Sequence, residues 1–117
     1  MSMILDNIRF EGAYSIEDFN TFDDSPGIYL VACGENFREK FFFVEVGQSE
    51  SIKRHFREVV RPEWWAKECR KENIQGHTLS DVIKIFIHYN AEMTEKERQD
   101  FVDQFQIRYK VIFKTYC

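Results

Sequence analysis

The chain has little of what punctuates or staples a protein: two prolines, five glycines and three cysteines in 117 residues. Without a Pro/Gly-rich stretch, an internal repeat or a low-complexity tract, nothing marks a boundary, so one domain over 1–117 is expected. No segment approaches 18 apolar residues in succession, and MSMILDNIRF has no basic flank ahead of an apolar run. Neither a membrane span nor a secretory signal is therefore expected, and a cytoplasmic protein with no membrane partner is the reading that follows. Cys33, Cys69 and Cys117 are odd in number, widely spaced and in no C-x-x-C pair. That spacing argues against a disulfide framework or a zinc site and for reduced thiols. A Gly-rich phosphate loop and a Ser/His/Asp spacing are also missing.

What is present is apolar bulk. The chain is 44% hydrophobic and 16% aromatic, with twelve Phe, enough for a real core. The formal charge of −4 is uneven: residues 1–50 carry three Lys/Arg against ten Asp/Glu, a balance of −7, whereas residues 51–117 carry thirteen against ten, a balance of +3. A polyanion would meet the second part. Its densest basic run is Lys53, Arg54, Arg57, Arg61, Lys67, Arg70 and Lys71, diluted by five acids from Glu50 to Glu72, and a solvated helix face is the simpler explanation of such a run.

Periodicity suggests an element order. In SIEDF, Ser15 followed by Asp18 reads as a helix cap with an acid in the first turn, opening a short helix to about Phe22. GIYLVAC and KFFFVEV, separated by the polar GENFRE, read as paired antiparallel strands. Ser49 or Ser51 can cap a helix with Ile52, Phe56, Val59 and Val60 on one face, and Pro62 restarts a second helix through PEWWAKECRKEN. NIQGHT reads as a loop, DVIKIFIHYN as a third, central strand, Thr94 and Glu97 as a capping box opening the last helix, and KVIFKTYC as a further short strand. The expected class is α/β (α+β), with a small, mainly antiparallel three-stranded sheet flanked by helices.

On that order, Gly27, Ile28 and Tyr29 spell GIY at the first strand, and Glu45, Val46 and Gly47 fall sixteen residues after Tyr29. GIY, the separation, the VGQS that follows and the basic helix beyond it together resemble the GIY-YIG nuclease superfamily over roughly residues 26–105. The resemblance implies metal-assisted cleavage of a DNA phosphodiester on the sheet surface. It further implies two motif tyrosines near the attacking water or the phosphate, a first-helix arginine on phosphate and a last-helix glutamate on Mg²⁺ or Mn²⁺. Such chemistry suits a hard cation that retains waters and an arginine fork. Tyr29 matches the GIY tyrosine. Glu45 stands at the YIG tyrosine, His55 stands at the arginine with Arg54 and Arg57 beside it, and Glu97 is the best-placed last-helix acid, although a capping role explains it more simply.

These departures make the expected function a non-catalytic GIY-YIG-like module that binds nucleic acid through Lys53, Arg54, Arg57 and Arg61, or binds a protein partner. The alternatives are an active metal-dependent DNA endonuclease with an altered site built on Tyr29, Glu45, His55 and Glu97, and an unrelated α/β interaction domain. Trp64 and Trp65 point in different directions on one helix, so at least one is expected to pack on the sheet rather than stack bases. His77 and His88 are isolated and read as structural.

Overall fold

The computed structural model describes residues 2–36, 40–71, 82–109, 111 and 113–115. The chain opens with a hairpin, β1 (Ser2–Leu5) and β2 (Ile8–Tyr14), with Leu5 opposite Ile8. Asp6 and Asn7 both take positive φ, 53° and 65°. This is the two-residue turn whose twist matches antiparallel strands, made by two residue types that tolerate the left-handed region. The expected order has no element before Ser15, so this hairpin is a departure from it. Ser15 then caps a short 3₁₀ helix, Ile16–Thr21, with Asp18 Oδ2 accepting from the Ser15 N–H at 2.8 Å.

The expected hairpin follows as β3 (Gly27–Asn36) and β4 (Lys40–Ser49). Ser51 caps α1 (Ile52–Glu58), its Oγ accepting from the Arg54 N–H at 3.2 Å. Pro62 is the first residue of α2 (Pro62–Lys71), where its missing N–H costs nothing. The expected NIQGHT loop, with His77, lies outside the described residues, as does Cys117. After β5 (Ile83–Tyr89), Thr94 and Glu97 form the expected box at the head of α3 (Glu95–Tyr109), with reciprocal bonds of 3.0 and 3.1 Å. A short β6 (Phe113–Thr115) ends the described chain.

The strands form one sheet in the order β1-β2-β5-β3-β4-β6. Five are antiparallel neighbours, and β6 joins the far edge parallel to β4. The class is α+β, but the three-stranded expectation is corrected: β4-β3-β5 is only the middle of the sheet. The extra strands are short or sparsely apolar, which leaves them faint in a periodicity reading. Apolar side chains fill both faces, as a sheet between two layers requires. On one face Tyr29, Val31, Ile85 and Ile87 pack with Phe22, which follows the 3₁₀ helix, and with Phe56 of α1 and Trp65 of α2. On the other, Ile28, Leu30, Val46 and Phe86 pack with Val102 and Phe105 of α3.

The expectation of reduced thiols is also corrected. Cys33 on β3 and Cys69 on α2 form a disulfide, with Cα atoms 6.2 Å apart and a sequence separation of 36. Their separation along the chain hides what the packing of α2 on β3 brings together.

Candidate functional site

Tyr29 and Glu45 belong to neighbouring strands, and plain alternation places both on one face, because Tyr29 pairs with Gly47 and Val31, two residues on, pairs with Glu45. Ala32 then pairs with Phe43, so Val44 is left over as a bulge. One extra residue re-aims everything on one side of it. Val44 and Glu45 therefore both face the layer of α1 and α2, whereas Val46 faces α3. Gly47 lies directly beneath Tyr29: a Cβ built there would come within 2.4 Å of Tyr29 Oη. Only a residue with no side chain leaves room for the phenol.

The phenol O–H of Tyr29 donates to Glu45 Oε2. Trp65 Nε1–H, from α2, donates to Glu45 Oε1 at 3.0 Å. His55 Nε2, from α1, lies 2.9 Å from Tyr29 Oη. With the Tyr29 proton directed at Glu45, the phenol oxygen accepts from the His55 side, which assigns the proton of a neutral imidazole to Nε2. His55 Nδ1 is then a bare acceptor, and it finds no partner among the described residues. Burial pushes the His55 pKa down to about 4, so the ring is neutral at pH 7.

All four members of this chain are inside. Tyr29 and Trp65 are 0% exposed, Glu45 and His55 1%. Phe56 packs edge-on against Tyr29 at 4.7 Å between ring centroids, and Phe22 and Phe19 pack on Phe56, each at 5.0 Å. The network thus ties β3, β4, α1 and α2 together with its polar groups facing one another, the condition under which a buried carboxyl is tolerated.

The structure brings Tyr29, Glu45 and His55 together and leaves Glu97 apart. Glu97 is exposed on α3, the helix over the opposite face, with Oε1 engaged by the Thr94 N–H. Magnesium or manganese does not suit this donor set. Both Glu45 oxygens already accept from Tyr29 and Trp65 in a site without room for metal-bound waters. Among the described residues no three His, Cys, Asp or Glu side chains gather as a metal would need.

Lys53, Arg54, Arg57 and Arg61 are all exposed. An open pocket of about 380 Å³ is lined by Asp24, Ser51, Lys53, Arg54 and Arg57. Arg54 also borders a second, of about 310 Å³, whose wall includes His55, Glu50 and Glu58. Arg61 is held by its own neighbourhood, Nη1 donating to the carbonyls of Glu58 and Val60, both at 3.1 Å. Trp65 is the member of the buried network that sequence reasoning missed. The signal was present, because an acid inside KFFFVEVG needs a donor and an indole N–H is one. His88, expected to be structural, has Nδ1 2.9 Å from the Arg9 carbonyl oxygen.

No family model, curated protein or solved structure matches the chain. Among the described residues no helix is long and apolar enough to cross a membrane.

Proposed function

We propose that this chain is a non-catalytic, GIY-YIG-like module that binds nucleic acid through the exposed face of α1 and the link from it into α2. The observation that carries the reading is a contrast in exposure. Tyr29, the residue at the position of the motif tyrosine, is fully buried and bonded to Glu45, while Lys53, Arg54, Arg57 and Arg61 all remain in solvent. A phosphodiester has no access to a phenol in that state, and a carboxylate beside it would repel phosphate. The exposed cations can neutralise phosphates without any rearrangement. The antiparallel β4-β3-β5 unit, with GIY opening its middle strand, supports the family likeness.

A cytoplasmic location is part of the same proposal. The Cys33–Cys69 bridge pulls the other way, since disulfides are rare in reducing compartments. The test is incubation of the protein with supercoiled, linear and single-stranded DNA in Mg²⁺ and in Mn²⁺, followed by titration binding at low salt. Binding without cleavage is expected, and it should be lost when Lys53, Arg54, Arg57 and Arg61 are all changed to Glu. Cleavage that disappears in Tyr29→Phe would favour the altered nuclease instead. Absence of binding at low salt would leave a protein partner as the better reading.

A further inference from the structure

Residues 23–25, between the 3₁₀ helix and β3, run beside the start of α1 and are bonded to it. The Lys53 N–H donates to the Asp23 carbonyl at 3.1 Å and the Ile52 N–H to the Ser25 carbonyl at 3.0 Å. The Arg54 N–H is taken by Ser51 Oγ at 3.2 Å. These three N–H groups of the first turn are therefore spent, and an anion here must be met by side chains. The side chains gather in the open recess of about 380 Å³ lined by Asp24, Ser51, Lys53, Arg54 and Arg57. Three cations stand against one carboxylate, a balance of +2. Two other recesses carry the opposite sign with their histidines neutral: Arg54 against Glu50 and Glu58 in one, Arg9 against Glu11 and Asp23 in the other, each −1. Among the described residues Lys53 and Arg54 have no acid partner, and Arg57 is ion-paired with the exposed Glu58 at 3.6 Å. Ser51 is 1% exposed, and its O–H has no acceptor among the described residues, which leaves a hydroxyl proton to spare in the wall of the recess.

We infer that this recess takes a terminal phosphate, so that the module recognises nucleic acid at a phosphorylated end. The inference rests on the nucleic-acid reading above and goes further by naming the part of the partner that is held. A phosphodiester within a strand carries one negative charge and is flanked by sugar on both sides. A terminal phosphomonoester carries about −1.5 to −2 near pH 7, has three free oxygens and stands at the tip of the chain. The balance of +2 matches the second, and a recess admits a tip where a continuous strand would lie across its mouth. The guanidinium forks of Arg54 and Arg57 suit its oxygens, with Lys53 as a point charge and the Ser51 O–H as a neutral donor. Asp24 opposes the same charge, which gives its removal a definite sign.

The full chain is titrated, at low salt and neutral pH, into a fluorescein-labelled oligonucleotide, and anisotropy is recorded. The unlabelled end is a hydroxyl, a phosphate or a methyl-esterified phosphate, in both polarities, each as a single strand and as a blunt duplex. In the form that binds, the phosphate end should bind about tenfold more tightly than the hydroxyl end, the size of one charge-assisted contact. The methyl ester, with one charge fewer, should lose most of that gain. Lys53→Ala together with Arg57→Ala should cut the gain to less than about twofold, while Asp24→Asn should tighten binding of the phosphate end by about two- to threefold. All three positions are exposed, so thermal melting of the variants should match the parent protein. Equal affinity for hydroxyl and phosphate ends, or a gain that survives Lys53→Ala with Arg57→Ala, overturns this inference and leaves charge-driven binding along the strand standing. Binding to none of the oligonucleotides overturns both readings together.

Discussion

Among the described residues Tyr29 and Trp65 both donate to Glu45, and its value to the fold is best judged by what its removal would strand. Glu45→Ala leaves the Tyr29 O–H and the Trp65 Nε1–H buried without their acceptor. At about 1–3 kcal/mol for each orphaned group, we expect a loss of roughly 2–5 kcal/mol, measured by urea unfolding. Glu45→Gln keeps one carbonyl oxygen and should cost less. His55 makes a separate, pH-dependent contribution. Its pKa in the folded chain, about 4, lies below the ordinary histidine value of 6.5. Protonation therefore favours the unfolded chain, and this contribution is complete above pH 6.5 and is lost as pH falls toward 4. Unfolding free energy should drop by up to about 3 kcal/mol across that window. His55→Asn should lack that part of the slope; an unchanged slope would show that His55 is not buried as a neutral ring.

Between elements, the fate of α2 depends on two links to the sheet: the Trp65–Glu45 hydrogen bond and the Cys33–Cys69 bridge. A bridge spanning 36 residues stabilises chiefly by restricting the unfolded chain. Chain-entropy reasoning gives about 3–4 kcal/mol. Reduction, or the pair Cys33→Ala with Cys69→Ala, should lower the unfolding free energy by that order and shift Trp65 emission to longer wavelength as α2 loosens. Emission unchanged on reduction would mean that packing of Trp65, Phe19 and Phe56 holds α2 by itself. Strand β4 shows how much rests on one small residue. Gly47→Ala drives a methyl into Tyr29 Oη, and an overpacking loss of about 1–3 kcal/mol is expected from thermal melting.

For the molecule as a whole, net charge is a poor guide to what it meets. The chain totals −4, yet residues 51–117 carry +3, and Lys53, Arg54, Arg57, Arg61 and Lys67 lie exposed within α1, α2 and the link between them. If those five cations each release a counterion from a bound nucleic acid, the logarithm of the affinity should fall with the logarithm of salt with a slope of about −3 to −5. Each charge removed should make the slope shallower by a little under one. A flat dependence would move the interaction away from phosphate altogether.

The middle of this fold was legible because its signals are local. GIYLVAC and KFFFVEV are dense in β-forming residues, Pro62 can only begin a helix, and Thr94 with Glu97 caps α3 as read. The β1–β2 hairpin was harder to see, because its turn is Asp-Asn and its outer strand has only four residues. From the candidate site, the sequence by itself determined the ingredients: Tyr29, an acid at 45, a histidine at 55 and a row of cations beside it. Tertiary structure alone decided their relation. The pairing of β3 with β4 set Glu45 beside Tyr29, packing of α2 supplied the Trp65 N–H and joined Cys33 to Cys69, and the layer of helices shut the tyrosine in. Each of these depends on contacts between residues far apart in the chain, and spacing along a chain carries no record of which distant groups will share a buried space.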